Sequence, residues 1–200
     1  MPRVLLAIII TALVSAAPAA AGENRFVQGF SGLQLGSFSE TDNTAFGGVV
    51  GGSLTPNIQV IGEAGRIGNV LPSTLGLLGS FSPIGIGVSA WYGEGGVRFT
   101  SDGSTIRPYA EAAAGIARLQ TDVAGIDDFG GIFADTAIRF LDRTEPIATV
   151  GGGVTFGGGA FLADIGYRYR RVFTSSWYDA LGLGDTLHSS EVRVGIGIRF

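Results

Sequence analysis

The sequence predicts an all-β fold: an eight-stranded antiparallel up-and-down transmembrane β-barrel with short periplasmic turns and longer extracellular loops. Three observations carry that reading. First, Ser190 to Phe200 alternate without a break. Val192, Val194, Ile196, Ile198 and Phe200 share one face, and Glu191, Arg193, Gly195, Gly197 and Arg199 share the other. A strand has period 2, and two arginines and a glutamate turned into an apolar core would be costly. The cost disappears if the apolar face meets lipid and the charged face lines a polar lumen. Second, eight segments of membrane-spanning length recur along the chain. Third, the links between them alternate strictly between short and long, as outer-membrane barrels require.

The elements follow in order. Arg3, the apolar run from Val4 to Val14 broken only by Thr11, and Ala19-Ala20-Ala21 form the pattern of a secretory signal peptide. Cleavage is expected after Ala21, giving a signal peptide over 1–21 and a barrel domain over 22–200. The apolar run is too short for a membrane helix, and no run of 18 apolar residues follows it. Strands are expected over roughly 25–37, 44–54, 57–68, 84–100, 105–121, 146–156, 160–173 and 189–200. Thr55-Pro56, Ser101 to Ser104 and Gly157 to Gly159 are the short links, rich in turn residues. The long links are 38–43, 69–83, 122–145 and 174–188, which places both termini in the periplasm.

Five strands declare their faces. In the seventh, Phe161, Ala163, Ile165, Tyr167 and Tyr169 oppose Asp164, Gly166, Arg168 and Arg170. In the fourth, Trp91, Val97 and Phe99 oppose Tyr92, Glu94, Gly96 and Arg98. The fifth sets Ile106, Ala110, Ala112, Ala114 and Ile116 against Arg107, Tyr109, Glu111 and Gly115. The third sets Val60, Gly62 and Ala64 against Gln59, Ile61, Glu63 and Gly65, and the eighth is described above. The first, second and sixth strands are glycine-rich with weak polar faces and leave their orientation open. Phe99, Tyr169, Phe173, Trp177 and Phe200 fall near strand ends, where interfacial girdles belong.

Composition narrows the function classes. Glycine is 34 of 200 residues, a density that suits a crowded lumen and close strand packing. Cysteine is absent, which removes disulfides, thiolate chemistry and cysteine metal sites. All 13 basic residues are arginine, the side chain whose planar fork pairs bidentately with carboxylates. Loss of Arg3 leaves 12 basic against 17 acidic residues, a net charge of −5. No basic cluster forms, so nucleic acid is not an expected partner.

At this point the chain resembles the small eight-stranded OmpA/OmpX-type outer-membrane barrels of Gram-negative bacteria, over nearly all of the mature sequence. The resemblance implies that Val194, Ile196, Ile198 and Phe200 form the C-terminal signal read by the barrel-assembly machinery. It further implies insertion among outer-membrane lipid. Because the chain ends at the barrel, no peptidoglycan-binding domain is expected.

The lumen is the strongest functional constellation. Glu63, Glu94, Glu111, Asp164 and Glu191 face Arg98, Arg107, Arg168, Arg170, Arg193 and Arg199. Charges in a narrow interior must pair or be hydrated. They form either a structural network that fills the barrel or a gate whose rearrangement admits ions or small solutes. An eight-stranded interior is only just wide enough for side chains, which favours the filled lumen.

The loops are apolar for segments facing the medium. Residues 69–83 carry Val70, Leu71, Leu75, Leu77, Leu78 and Phe81, and residues 122–145 carry Ile126, Phe129, Ile132, Phe133, Ile138, Phe140 and Leu141. They either contact an extracellular partner or pack on one another over the barrel mouth.

No catalytic, cofactor or metal residues are expected. His188 and Ser190 are spaced like the pair in outer-membrane lipid A deacylases, but the later acid of that family has no counterpart. Asp122, Asp127, Asp128 and Asp135 lack a calcium-ligand spacing. A soluble lipocalin-like ligand binder would need the faces reversed and explains neither the loop alternation nor the purely apolar face. The expected role is structural and surface-interacting, with a narrow channel as the alternative.

Overall fold

The computed structural model describes residues 25–35, 43–68, 85–101, 105–124, 144–173 and 186–200. Eight strands fill these segments: β1 (Arg25–Leu35), β2 (Thr44–Thr55), β3 (Ile58–Ile67), β4 (Gly85–Thr100), β5 (Ile106–Ala124), β6 (Thr144–Gly158), β7 (Phe161–Phe173) and β8 (Thr186–Arg199). The expected signal peptide, Trp177, loop 69–83, the aspartates 127, 128 and 135, and all of loop 122–145 but its ends lie outside the described residues.

Each strand pairs antiparallel with its sequence neighbours, and β1 pairs with β8, so the sheet closes. Closure removes the free edge that an open sheet would expose to lipid. Arg25 and Phe200 exchange backbone hydrogen bonds of 2.9 Å at the end of the seam.

The register fixes the shape of the barrel. Arg25 lies opposite Gly52, and the row continues through Val60, Val97, Ala112, Val150, Tyr169 and Ser190 to Leu35. One circuit therefore returns to β1 ten residues further on (35 − 25 = 10). Eight strands with that stagger tilt by about 40° and enclose a backbone radius of about 8 Å. Side chains fill such an interior.

Two of the short links are tight hairpins, and residues 102–104 of the third lie outside the described residues. Pro56 and Asn57 form the β2–β3 turn, where the Ile58 N–H donates to Thr55 Oγ1 (3.1 Å) and Asn57 Nδ2 donates to the Thr100 carbonyl (3.1 Å). The β6–β7 turn is Gly159-Ala160, with Gly159 at φ 61°. Only glycine takes that conformation at no steric cost. Gly157 and Gly158, expected in this turn, are instead paired strand residues opposite Leu162 and Phe161.

At the other end, β5 runs three residues past its expected limit, and β6 and β8 start two and three residues early. Pairing persists there, as in Arg118 opposite Thr144 and Phe173 opposite Thr186. Alternation fades above the lipid band because neither face must be apolar there, so pattern alone stops short.

Polarity is inverted, as expected. Ile196 (77% exposed), Phe161 (75%), Leu33 and Val194 point outward, while the largest fully buried side chains are Arg168, Arg170 and Arg193. The three undeclared strands are resolved. Phe26, Gln28, Phe30 and Gln34 of β1, Ala45 and Val49 of β2, and Glu145, Ile147, Thr149 and Thr155 of β6 turn inward.

Exposed aromatics gather at two levels. Phe99, Phe156, Phe161 and Phe200 ring the short-turn end, and Phe46, Tyr169 and Phe173 the other, where Trp91 packs edge-on against Phe46 at 6.1 Å. Trp91 and Phe99 share one tilted strand, which separates the levels by about 20 Å, close to the ~25 Å apolar band of an outer-membrane barrel.

Candidate functional site

The structure turns Glu63, Glu94, Arg98, Glu111, Asp164, Arg168, Arg170, Glu191 and Arg193 into the barrel, each at most 5% exposed. Arg107 and Arg199 also face inward but stay half-buried at the short-turn end. The expected set therefore divides into a central network and a basic mouth.

The network is asymmetric around the wall. Glu63, Glu94 and Glu111 sit on the consecutive strands β3, β4 and β5, while Arg168, Arg170 and Arg193 come from β7 and β8. Register places Glu63 directly opposite Glu94, a like-charged cross-strand pair that is destabilising by itself. The opposite wall answers it. Arg170 reaches across the lumen to Glu63 Oε1 at 2.7 Å and approaches Glu94 Oε1 at 3.7 Å. It also bonds Glu191 on the neighbouring strand.

Glu63 is the hub. Its Oε2 accepts from Arg193 (2.8 Å) and lies in an ion pair with Arg168 (2.9 Å), and its Oε1 accepts from Arg170 and the Tyr92 hydroxyl, both at 2.7 Å. Glu111 forms a second node, bound by Arg98 through Nε (3.0 Å) and Nη2 (2.9 Å), and by Arg168 at 2.5 Å. Arg98 and Glu111 are direct cross-strand partners, so this pair runs along the wall while the others span the lumen. Asp164 lies at the margin, 3.8 Å from Arg193 Nε. Burying ions costs several kcal/mol each, and mutual attraction offsets that only where the remaining donors and acceptors are satisfied.

Neutral groups complete the set. Arg98 lies over Tyr109 (4.2 Å to the ring centre), Arg170 over Tyr92 (4.6 Å) and Arg193 over Phe30 (4.7 Å), which desolvated cations favour. Thr149 donates to Glu94 at 2.6 Å. Inward glycines make the room. A Cβ at Gly32 would stand 2.5 Å from Glu191 Oε1, and one at Gly153 or Gly166 would meet the Tyr109 hydroxyl at 2.8 or 2.5 Å.

Several of these groups escape a pattern reading. Phe30, stacked under Arg193, belongs to a strand with no charged inward position. Glu145 falls within an expected loop yet is buried in β6. Thr149 lies in a strand whose polar face is too weak to declare itself; pairing of Glu94 with Thr149 follows only from closure. Tyr92 and Tyr109 were readable as inward by alternation, though not as arginine platforms.

The remaining expected residues lie outside the lumen. Val194, Ile196 and Ile198 of β8, with Phe200 just after it, form an exposed apolar row. His188 is exposed and stacks on Tyr169 at 6.2 Å, while the Ser190 hydroxyl accepts from Tyr167 at 2.9 Å. Each thus has an aromatic partner on the outer wall.

No protein-family model matches the sequence, and no curated protein is similar to it. Solved structures are. The chain is similar to Neisserial surface protein A at TM-score 0.57 and 16% identity, with 88% of this chain and 97% of that chain covered. It is similar to the N-terminal β-barrel domain of Pseudomonas aeruginosa OprF at TM-score 0.53 and 11% identity, covering 89% and 98%. A major outer membrane protein from Thermus thermophilus gives TM-score 0.51 and 12% identity, covering 90% and 100%. What these proteins share with the chain is architecture, and that architecture is the small eight-stranded outer-membrane β-barrel.

Proposed function

We propose that this chain is exported by a signal peptide cleaved near Ala21 and resides in the bacterial outer membrane as a structural, surface-presenting barrel with a plugged lumen. The observation that carries the reading is the inverted polarity: Ile196 and Phe161 lie more than 70% exposed while Arg168 and Glu191 are 0% exposed. Water would not tolerate that apolar exterior, and lipid requires it. The short turns then face the periplasm and the long connections the medium. Val194, Ile196, Ile198 and Phe200 serve as the signal for the barrel-assembly machinery. The apolar connections 69–83 and 122–145, the latter without its ends paired in β5 and β6, are what we assign to contact with an extracellular partner. In this reading the protein supports no catalysis, and the Arg–carboxylate network holds the walls together.

Cell fractionation combined with gel mobility tests this. An outer-membrane species that migrates anomalously until boiled, with an N-terminus at Gly22, is the expected result. A periplasmic species without the shift overturns it.

A gated channel is the second reading, favoured by one observation. Arg170 and Arg193 each have a further carboxylate just beyond hydrogen-bond range, Glu94 at 3.7 Å and Asp164 at 3.8 Å. Exchange between such partners is how a charged lumen would open. Conductance separates the readings.

A further inference from the structure

The two faces of the barrel wall differ in charge. Among the described side chains every carboxylate, Glu63, Glu94, Glu111, Glu145, Asp164 and Glu191, turns inward and is at most 7% exposed. The outward face carries basic side chains without acids, and on β7 and β8 two of them meet. Arg171 and His188 are direct cross-strand partners, and both are exposed. Partners on one face stand with their Cβ atoms about 5 Å apart, close enough for both to reach one group. Each is backed by a ring: Arg171 lies over Phe173 at 5.5 Å, and His188 stacks on Tyr169 at 6.2 Å. A ring orders a basic side chain without neutralising it, so the donors stay available to a ligand.

Depth and surroundings define that ligand. Arg171 stands two residues above Tyr169 and two below Phe173, both exposed, and thus within the upper aromatic level. Aromatic belts mark the headgroup depth of a bilayer. Further down the same two strands, Tyr167, Ile165, Val192 and Val194 are 42–57% exposed and form an apolar column. The Tyr167 hydroxyl, bound to Ser190 Oγ at 2.9 Å, ends the column with a polar pair. A basic pair above a hydrocarbon surface fits an amphiphile with an anionic head and apolar chains. A free anion would leave the column unused.

We infer that the β7–β8 wall holds a phosphate-bearing lipid of the outer leaflet. Its phosphate is gripped by the Arg171 fork and a His188 N–H, and its chains lie along the column. A planar guanidinium matches two oxygens of one phosphate, which a point charge would not. Access to that leaflet rests on the membrane orientation proposed above. Arg66 supplies the contrast: it lies in the outward row of Phe46 and Trp91, but on β3, across the barrel from β7, and has a partner of its own.

Native mass spectrometry tests the site, on protein refolded in maltoside detergent and titrated with dioleoyl phosphatidic acid. One lipid is expected to be retained saturably. Dioleoylglycerol, which has the same chains and no phosphate, is expected to bind at least about tenfold more weakly, and inorganic phosphate is not expected to displace the lipid. Arg171→Gln is expected to weaken retention about ten- to hundredfold and His188→Gln about three- to tenfold, with Arg66→Gln unchanged. Each protein is run unboiled on a gel to show a closed barrel. No retention by a closed wild type, undiminished retention by Arg171→Gln, or an equal loss with Arg66→Gln overturns the lipid site and leaves the barrel reading intact. Displacement by inorganic phosphate makes it a free-anion site, and equal binding of dioleoylglycerol makes it plain hydrocarbon contact; either overturns it as well. Absence of the gel shift in the wild type removes the barrel and the lipid site together.

Discussion

At the scale of single residues, the lumen depends most on Glu63, whose carboxylate takes three arginines and a tyrosine hydroxyl. Glu63→Gln keeps the volume and removes the charge, leaving buried guanidiniums facing fewer anions. Breaking a buried pair from one side costs about 3–5 kcal/mol. Urea unfolding in lipid vesicles is expected to show a loss of that size. A loss under about 1 kcal/mol would mean that water, and not Glu63, compensates the arginines. The inward orientation of Glu63 is legible from alternation with Gln59 and Ile61. Its place as hub is not, because Arg170 and Arg193 lie 107 and 130 positions away in sequence. Charges on one face reveal a lumen; which charges meet depends on the closed geometry.

At the scale of the strand, legibility tracks how much each inward face differs from the outward one. β7 and β8 set arginine and acid against tyrosine and isoleucine, so both their faces are readable in the sequence. β1 places Phe26 and Phe30 inside, where they lie near Arg98 and Arg193, and Val27 and Leu33 outside. Each face mixes apolar and polar residues, Gln28 and Gln34 inside and Ser31 outside, and only pairing with β8 and β2 decides between them. The same contrast makes β8 the strand most sensitive to inversion. Ile196 lies four residues above Phe200, about 10 Å into the apolar band. Ile196→Arg is therefore expected to cost about 2–4 kcal/mol, and Ile198→Arg, nearer the interface, about 0–1 kcal/mol. Unfolding from vesicles measures both. Equal penalties would place the band elsewhere on the barrel.

At the scale of the whole molecule, strand count and stagger decide what the lumen can be. Eight strands returning ten residues along leave an interior about as wide as the side chains inside it. Across that interior Arg168, Arg170 and Arg193 act as three braces from β7–β8 to Glu63, supported by Glu111. A pore requires the braces to leave, and each would then expose its carboxylate partner. The plugged reading thus expects a planar bilayer containing the wild type to carry no steady current. Removing two braces together, Arg168→Ala with Arg170→Ala, is expected to open a water path and produce cation-preferring current, because the lumen acids then outnumber Arg98 and Arg193, the arginines left among them. Arg98, which lies along the wall beside Glu111, spans nothing, and Arg98→Ala is expected to leave the barrel silent. If the wild type conducts in brief openings and Glu94→Ala or Arg168→Ala alters them, the braces exchange partners and the lumen is a gate. If the double variant stays silent with its gel shift intact, neighbouring side chains have collapsed into the space. The braces would then be replaceable filling, and occlusion would belong to the strand count and stagger alone.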